Sequence, residues 1–478
     1  MRTLHAILFT ILLAAHAPAQ DPHAMAPPAP TTPRVASNIN TGLIGIRVRT
    51  ARPGDVIRVP AGIYREHIRI ETPLSLVAEP GAIIDGDGSG DIIEIAAPDV
   101  TVSGFVIRNT GIDLDKENAG VRAIAPRALI ENNTLEDILF GIDLRDAHDS
   151  IVRGNRIGGK DLDIARRGDG VRLWRSDRAL IENNHIHDGR DAVLWYSQGI
   201  TVRGNTAIRC RYGFHLMYSD DVTLEDNEVA HNSVGIYIMY SRGITIRRNR
   251  MIRNRGPSGY GLGLKEADRF TIENNLIVAN RAGVYLDGSP FSTQVPGDFT
   301  RNTIAFNDVG LTFLPAVRGN RFTLNNFIDN VEQVSILGRG SLKGNEFWHE
   351  ETGNYWSDYL GYDQNQDGVG DFVHESYTLF ESLVDRHPKL RILLFSPVEQ
   401  AIEFVGRAVP AVRPEPKFID EVPLMRPVAI ESGRPAQQAD RVGMTLTALA
   451  MVGGGLGLAL LSRPVERRRR TSATGGDA

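Results

Sequence analysis

The sequence has few cysteines, little net charge and no nucleotide motif. Its 478 residues include one cysteine, Cys210, which excludes an internal disulfide and a zinc site built from several thiolates. The 53 lysines and arginines against 58 aspartates and glutamates give a net charge of −5, and this mild acidity argues against nucleic acid as a main partner. Without a phosphate-binding loop, any nucleotide must be used by a partner protein.

Both ends of the sequence differ from the body. Residues 1–19 predict a secretory signal peptide, and 20–35 read as a flexible leader rich in Pro and Ala. After a linker at 431–441, residues 442–461 carry no charge and predict a transmembrane helix; the basic tail 462–478 places the C-terminus in the cytoplasm. A buried glycine-rich segment is the alternative for the apolar run. We expect a periplasmic body tethered to the inner membrane.

The body repeats with a period of about 22 residues. Segments such as IENNTL and VRGNRI recur, each followed by a second short strand such as GIDL or GVYL. Both strands alternate apolar and polar residues, so each repeat predicts one turn of an all-β parallel β-helix over 36–375, with caps at its ends. One asparagine per turn is expected to take the left-handed turn conformation and to bond its neighbours in a ladder. These asparagines are Asn133, Asn155, Asn184, Asn205, Asn227, Asn249, Asn275, Asn302, Asn326 and Asn345.

A second ladder is predicted three residues before the small residue that opens the second strand. Its members are Asn232, Asn280 and Asn307. Cys210 occupies the same register one or more turns earlier. This placement favours Cys210 as a packed member of the ladder rather than as a metal ligand. The sequence then offers no thiol as a candidate ligand.

One outer face of the predicted solenoid collects methionine, histidine and tyrosine. His215 and Met217 should point outward, and Met239 should occupy the Met217 column one turn later. Adjacent turns lie ~4.8 Å apart, so these three side chains form one cluster, and thioether and imidazole groups suit Cu(I). A protein-docking patch is the competing interpretation, because methionine is favoured at adaptable surfaces. The candidate docking residues are Tyr196, Tyr218 and Tyr240.

An acidic loop after the last repeat is a candidate calcium site. Asp363, Asn365, Asp367 and Asp371 have the oxygen spacing that opens a calcium-binding loop. The twelfth position is His374 rather than glutamate, so the EF-hand pattern is incomplete. The alternative is an Asx-rich turn that closes the cap.

The segment 376–430 combines a helical pattern with a proline-rich stretch. Apolar residues recur at helical spacing over 379–408, and five prolines then favour an extended chain. An amphipathic helix with an extended tail, close to a membrane span, suits docking on a transporter subunit. Packing back onto the solenoid is the alternative.

Several of these motifs together resemble the NosD family, the periplasmic maturation protein of nitrous oxide reductase. The matching features are AGIYREHI, the IENN and VRGN coils, the HLMYS and YIMYS pair, and FSPVEQAIEF with its proline-rich tail. GNYWSDYLGYDQNQDGVGD at 353–371 is the most specific of them. The resemblance covers roughly residues 36–430; the apolar run 442–461 does not map onto the family pattern.

The resemblance implies a right-handed β-helix that works, without catalysis, on the periplasmic face of an ABC transporter. Its partners would be an ATPase of the NosF type and a membrane subunit of the NosY type. Copper would come from a lipoprotein chaperone of the NosL type and go to nitrous oxide reductase. The family's transient Cu(I) sites carry over here only onto His215, Met217 and Met239.

The main competing function is carbohydrate binding or polysaccharide processing, a common occupation of β-helices. Lyases, hydrolases and epimerases need paired carboxylates, or a carboxylate with a base, in one groove. The candidate carboxylates do not form a clean pair in adjacent columns; they are Asp143, Asp169, Asp191, Asp220 and Asp221. A scaffold that docks without metal is the third class. We predict a copper-handling, non-catalytic protein.

Overall fold

The computed structural model describes residues 39–431, apart from 293, 339, 377 and 413. The chain divides into two compact units, 1–39 and 40–478, and nearly all described residues belong to the second. Among the described residues, no helix is both long and apolar enough to cross a membrane.

Several sequence predictions fall on parts of the chain that the structure does not describe. They are the signal peptide 1–19, the leader 20–35, nearly all of the linker 431–441, the transmembrane helix 442–461 and the basic tail 462–478. Each of them remains a prediction.

The described chain forms a parallel β-solenoid of twelve coils, which confirms the predicted all-β parallel β-helix. A complete coil contributes one short strand to each of three sheets, as Thr201–Arg203, Thr206–Ile208 and Tyr212–Met217 do. Strands of the same sheet pair in parallel from one coil to the next. We number the sheets 1, 2 and 3 in this order along the coil.

The strand bounds follow the repeat closely. Sheet 1 consists of Asp55–Val59, Leu74–Ala78, Thr101–Ser103, Leu129–Glu131, Ile151–Arg153, Leu180–Glu182, Thr201–Arg203, Thr223–Glu225, Arg242–Arg247, Asp268–Glu273, Gly297–Thr300 and Asn320–Thr323. Sheet 2 includes Gly62–Arg65, Ala82–Asp85, Val106–Arg108, Thr134–Ile138, Arg156–Gly159, His185–His187, Thr206–Ile208, Glu228–Ala230, Arg250–Ile252, Leu276–Val278, Thr303–Ala305, Asn326–Ile328 and Tyr355–Trp356. Sheet 3 consists of Ile68–Ile70, Ile93–Ile95, Ala119–Ala123, Phe140–Arg145, Val171–Trp174, Asp191–Trp195, Tyr212–Met217, Val234–Met239, Tyr260–Lys265, Ala282–Asp287, Val309–Phe313 and Glu332–Ile336.

The remaining elements lie at the ends of the solenoid or in its loops. The α-helices are α1 (Leu43–Thr50), α2 (Leu379–Arg386) and α3 (Pro397–Ala408). The 3₁₀ helices are Ile164–Arg166, Pro388–Leu393 and Pro410–Val412. A two-residue strand, Ile39–Asn40, lies at the boundary of the two units, and His374–Glu375 pairs antiparallel with Ile419–Asp420.

The corners of the coil combine a left-handed residue with a buried hydrogen-bonding residue. At the corner between sheets 1 and 2, Asn132 has φ 54° and Asn133, which follows it, is buried. Both the main-chain N and Nδ2 of Asn133 donate to Oδ1 of Asn155, at 3.0 and 3.1 Å. The left-handed turn therefore belongs to the residue before the ladder asparagine, and our assignment of it to the ladder residue itself was wrong.

The main ladder follows the predicted asparagines from Asn133 to Asn302 and then departs from the prediction. It continues through Asn325 and Asn354, whereas Asn326 bonds Thr303 and Val428. Asn345 instead bonds Asn320 in a different column. The predicted ladder residue Asn326 is the second of two adjacent asparagines in the sequence TLNNFI. The core phenylalanines on either side fix the register one residue earlier, so Leu324 takes the left-handed position, with φ 56°.

The second ladder is confirmed and is longer than predicted. The main-chain N of Cys210 donates to Oδ1 of Asn232 at 2.8 Å, and Asn232 donates in the same way to Asn254. The series continues through Asn280, Asn307 and Asn330. Cys210 is buried, and burial raises the pKa of its thiol to about 12. It is therefore protonated at neutral pH, in keeping with a packed ladder member.

The C-terminal segment covers the open end of the solenoid. In α2, Phe380 and Val384 are buried. Trp356, from the GNYW sequence, stacks on Phe327 and Phe418, and its Nε1 donates to Asp420 at 2.8 Å. These residues of 376–430 therefore pack back onto the solenoid, which was the alternative to docking on a transporter subunit.

The expectation of one helical stretch over 379–408 was wrong. Pro388 and Pro397 break it, so two α-helices are joined by a 3₁₀ turn. Part of the segment stays exposed, with Ile392 at 87 %, Phe395 at 79 % and Phe404 at 70 %.

Candidate metal-binding face

The outer side of sheet 3 brings the predicted copper ligands together. His215 pairs with Tyr237 and Met217 with Met239 in the register between adjacent coils, as the spacing predicts. Phe214 and Leu216, which alternate with them, are buried in the core. Nε2 of His215 lies 3.4 Å from Sδ of Met239, so imidazole and thioether are in direct contact.

Aromatic rings cover His215 and leave it less accessible than its outward direction suggests. The residue is only 6 % exposed. Tyr212 and Trp195 contact the imidazole edge-on at centroid distances of 5.0 and 5.7 Å, and Tyr237 is stacked at 6.2 Å. Met217 and Met239 are half-buried. The cluster is thus partly enclosed by aromatic rings rather than openly exposed.

A register shift between two strands places an acidic residue behind His215. Asp191 pairs with Tyr212, but Val193 pairs with His215, so the later strand contains one extra residue. This bulge puts Oδ2 of Asp191 3.7 Å from Nδ1 of His215. The coil lengths give no sign of where the extra residue lies, so sequence reasoning could not identify Asp191 as a neighbour of the imidazole.

Asp191 is an ionised, buried carboxylate held by several donors. Arg211 donates from Nε at 2.9 Å and also from Nη2, and the main-chain N of Tyr212 donates at 3.1 Å. Burial alone would raise the pKa of Asp191, but its interactions with His215 and Arg211 outweigh burial and lower it. A fixed negative charge therefore lies beside Nδ1 of His215.

A stack of tyrosines borders the methionine column. Tyr196, Tyr218 and Tyr240 stack with centroid distances of 5.2 and 5.0 Å, and Nζ of Lys265 lies 5.8 Å from the ring centroid of Tyr240. Each tyrosine has φ 52° and precedes a buried serine whose hydroxyl bonds the adjacent coil. The corner geometry thus turns three aromatic rings outward beside the candidate metal ligands.

The donor set fits a soft metal ion. Metal bonds of about 2.0 Å to nitrogen and about 2.3 Å to sulfur, the values found for zinc, are compatible with ligand atoms 3.4 Å apart. Thioether and neutral imidazole suit Cu(I). Nδ1 of His215 is buried without a hydrogen bond among the described residues, which marks this imidazole as incompletely satisfied by the protein.

Three of the five candidate carboxylates of the enzymatic alternative are bound to arginines. Asp143 accepts from Arg122, Arg145 and Arg172, and Asp169 accepts from Arg190. Burial raises the pKa of Asp169 to about 6. Like Asp191, these carboxylates are buried and engaged in ion pairs. Asp220 instead accepts from the main-chain N of Arg242 at 2.8 Å, and Asp221 is exposed.

The acidic loop forms the turn that was the alternative to a calcium site. Asp363 accepts from the main-chain N of Asp367 and Gly368 at 3.2 and 2.8 Å, and Asp371 accepts from Gln364 at 2.8 Å. Across the described residues, no group of three or more His, Cys, Asp or Glu side chains could hold a metal ion. Calcium at this loop, with Asn365 as a ligand, stays a prediction.

Comparison with known proteins gives sequence relatives over most of the chain. A family model described as "Periplasmic copper-binding protein (NosD)" matches residues 153–361. A Stutzerimonas stutzeri protein named "Probable ABC transporter binding protein NosD" is 31 % identical over 419 residues, covering 77 % of this chain and 86 % of that protein. A Pseudomonas aeruginosa protein of the same name is 33 % identical over 416 residues, covering 81 % and 95 %.

A solved structure shares the fold at low sequence identity. The A-module of mannuronan C-5 epimerase AlgE6 from Azotobacter vinelandii superposes with a TM-score of 0.52 at 15 % identity, covering 63 % of this chain and 92 % of that module. This similarity concerns the fold alone.

Proposed function

Because the chain belongs to the NosD family, we propose that it is a non-catalytic periplasmic protein that binds and passes on Cu(I). The copper ligands are His215, Met217 and Met239. The observation that carries the proposal is the 3.4 Å contact between Nε2 of His215 and Sδ of Met239. The two thioethers favour Cu(I) over harder ions, and a site without a thiolate would allow transfer of the ion to a partner.

The non-catalytic part of the proposal is supported by the state of the acidic residues. General acid–base catalysis needs carboxylates free to contact a substrate. Asp143, Asp169 and Asp191 are at most 1 % exposed and are each bound to arginine. These three carboxylates are therefore disfavoured as catalytic groups for a polysaccharide, although the solenoid shares its fold with an epimerase module.

The partners proposed for this chain follow from its family. The relatives are named as ABC transporter binding proteins, so this chain would act with an ATPase of the NosF type and a membrane subunit of the NosY type. Copper would arrive from a NosL-type chaperone and serve nitrous oxide reductase. The stacked tyrosines beside the methionines would contact a copper-exchanging partner, and the exposed apolar side chains of 376–430 would contact the transporter.

The proposed location combines export and tethering. The signal peptide 1–19 would direct the chain to the periplasm, and the run 442–461 would hold it at the inner membrane. The coils are proposed to wind in the right-handed sense, in keeping with the strong preference of parallel β crossovers.

A Cu(I) titration of the full-length chain without oxygen, against a competing chelator, tests the copper site. We expect one bound Cu(I) per chain and at least about a hundredfold weaker binding, roughly 2.7 kcal/mol, in His215→Phe/Met217→Leu/Met239→Leu. These substitutions remove the donor atoms while keeping apolar volume.

The matched control is His231→Ala/Met425→Ala, which removes one histidine and one methionine at positions outside the strands of sheet 3. It should bind as the unaltered chain does. Equal affinity of the triple variant and the unaltered chain would contradict the site.

A further inference from the structure

We infer that Asp191 is a positioning residue that fixes the tautomer of His215, so that Nδ1 carries the proton and Nε2 offers its lone pair to the metal. This inference rests on the proposed function. Asp191 lies outside the ligand set, and Nε2 is the imidazole nitrogen that would bind the metal.

The two nitrogens of His215 face different chemical groups. Nε2 lies 3.4 Å from Sδ of Met239, and Nδ1 lies 3.7 Å from Oδ2 of Asp191. A carboxylate attracts an N–H and repels a nitrogen lone pair. The Nδ1–H tautomer therefore satisfies the buried charge of Asp191 and leaves Nε2 free on the methionine side.

The competing arrangement is a hydrogen bond from Nε2–H to the sulfur of Met239. It would leave the Nδ1 lone pair facing the carboxylate and would make the imidazole and thioether satisfy each other. A metal could then bind only after the proton had moved. With the proton on Nδ1, the imidazole is preorganised to bind copper through Nε2. With the proton on Nε2, it is a packed histidine bonded to Met239.

The environment of Asp191 keeps its orientation fixed. Oδ1 accepts from Nε of Arg211 and from the main-chain N of Tyr212, and Oδ2, which faces His215, also accepts from Arg211. The carboxylate is 1 % exposed. In Asp191→Asn, we expect the amide oxygen to take the Oδ1 position and keep its partners. The amide NH₂ then faces Nδ1 of His215, so that Nδ1 accepts a hydrogen bond and Nε2 carries the proton.

The direct test is ¹⁵N NMR of the metal-free full-length chain with labelled histidine, at about pH 8, where an ordinary imidazole is neutral. His215→Phe identifies the signal among the 12 histidines. The unaltered chain should show Nδ1–H, and Asp191→Asn should show Nε2–H. An Nε2–H tautomer in the unaltered chain overturns the inference, even if the Asn variant does not fold.

Copper affinity supplies the second readout. Asp191→Asn should weaken Cu(I) binding about 10- to 100-fold, the usual effect of losing such a partner. The matched control is Asp169→Asn, one coil earlier, because Asp169 is equally buried and paired with Arg190 but is not among the contacts of His215. It should leave copper affinity unchanged. A reversed tautomer with unchanged affinity in Asp191→Asn overturns the positioning role.

Failure of the proposed function gives a different result. If the unaltered chain binds no Cu(I) and yet shows Nδ1–H that reverses in Asp191→Asn, copper handling fails while the coupling between Asp191 and His215 stands.

Discussion

At the residue scale, the chain uses asparagine to satisfy buried backbone groups along its length. The side chain of Asn133 accepts from the main-chain N of Phe105 and donates to the carbonyl of Val102, both in the preceding coil, and to Asn155 in the following one. Each such group would cost free energy if it were buried without a partner. The recurring asparagine is therefore a structural signal, and it carries no information about ligand binding.

Adjacent asparagines should differ sharply in their contribution to stability. Asn133→Ala leaves several buried groups unpaired, so we expect it to lower the free energy of unfolding by about 2–4 kcal/mol. Asn132 is exposed with φ 54°, and Asn132→Gly should stay within about 1 kcal/mol of the unaltered chain. Urea unfolding of both variants measures this, and equal losses would show that the ladder is not the stabilising feature.

The residue scale also sets the limit of prediction at the candidate site. Strand alternation predicted that His215, Met217 and Met239 lie on one face, because that depends only on the period of the coil. It could not predict that Tyr212 and Asp191 enclose the imidazole, since this follows from a single-residue bulge. The same limit explains why Asn326 was predicted at the ladder position that Asn325 occupies, since either of these adjacent asparagines fits the sequence pattern.

At the scale of elements, a buried charged cluster fastens the C-terminal segment to the last coil. Nζ of Lys417 lies 2.9 Å from Glu332, 3.4 Å from Glu381 and 2.9 Å from Asp385. Glu332 belongs to sheet 3, and Glu381 and Asp385 to α2. Burial raises the pKa of Glu381 from 4.5 to about 7, although Lys417 opposes the shift.

This cluster should make the attachment of α2 depend on pH. Since the pKa of Glu381 is higher in the folded state, the folded chain holds a proton between about pH 4.5 and 7 that the unfolded chain has lost. The protonated carboxyl of Glu381 therefore stabilises the folded state at acidic pH by on the order of 1–3 kcal/mol. This stabilisation is lost as pH rises through 7. Hydrogen exchange of Leu379–Arg386, corrected for intrinsic rates, should therefore speed up between about pH 5 and 8.

Glu381→Gln should reduce that pH dependence, because the amide cannot ionise; a part remains from Asp385, whose pKa burial also raises. Glu375→Gln changes an exposed carboxylate nearby and should leave the pH dependence intact. Parallel pH profiles for the unaltered chain and Glu381→Gln would contradict the assignment of the effect to Glu381.

Element boundaries at the ends were harder to predict than those in the repeat. The coils repeat one pattern, so each supports the alignment of the others. The caps occur once: α1 was not predicted, and prolines divided the expected helix over 379–408. The GNYWSDY motif, the most family-specific sequence, proved to close the core through Trp356 and Asn354.

At the scale of the whole molecule, the solenoid presents its three sheets as long parallel surfaces of different character. Twelve coils share one continuous apolar core from Ile44 to Phe418, so the outer columns are free to carry function. On sheet 3, arginine–carboxylate pairs occupy the earlier coils, and aromatic rings and methionines occupy the coils around His215. The period of the sequence predicted that one sheet presents a regular outer surface. The chemistry of that surface depends on the side chains of a few coils around His215.

The most direct test of the copper assignment is X-ray absorption spectroscopy of the full-length chain loaded with one Cu(I). We predict a nitrogen neighbour at about 2.0 Å and sulfur neighbours at about 2.3 Å, with the sulfur signal lost in Met217→Leu/Met239→Leu. The only cysteine is buried and protonated at neutral pH, so that sulfur would come from methionine. A copper ion with only nitrogen and oxygen neighbours, or a sulfur signal unchanged in the double variant, would contradict the methionine ligands.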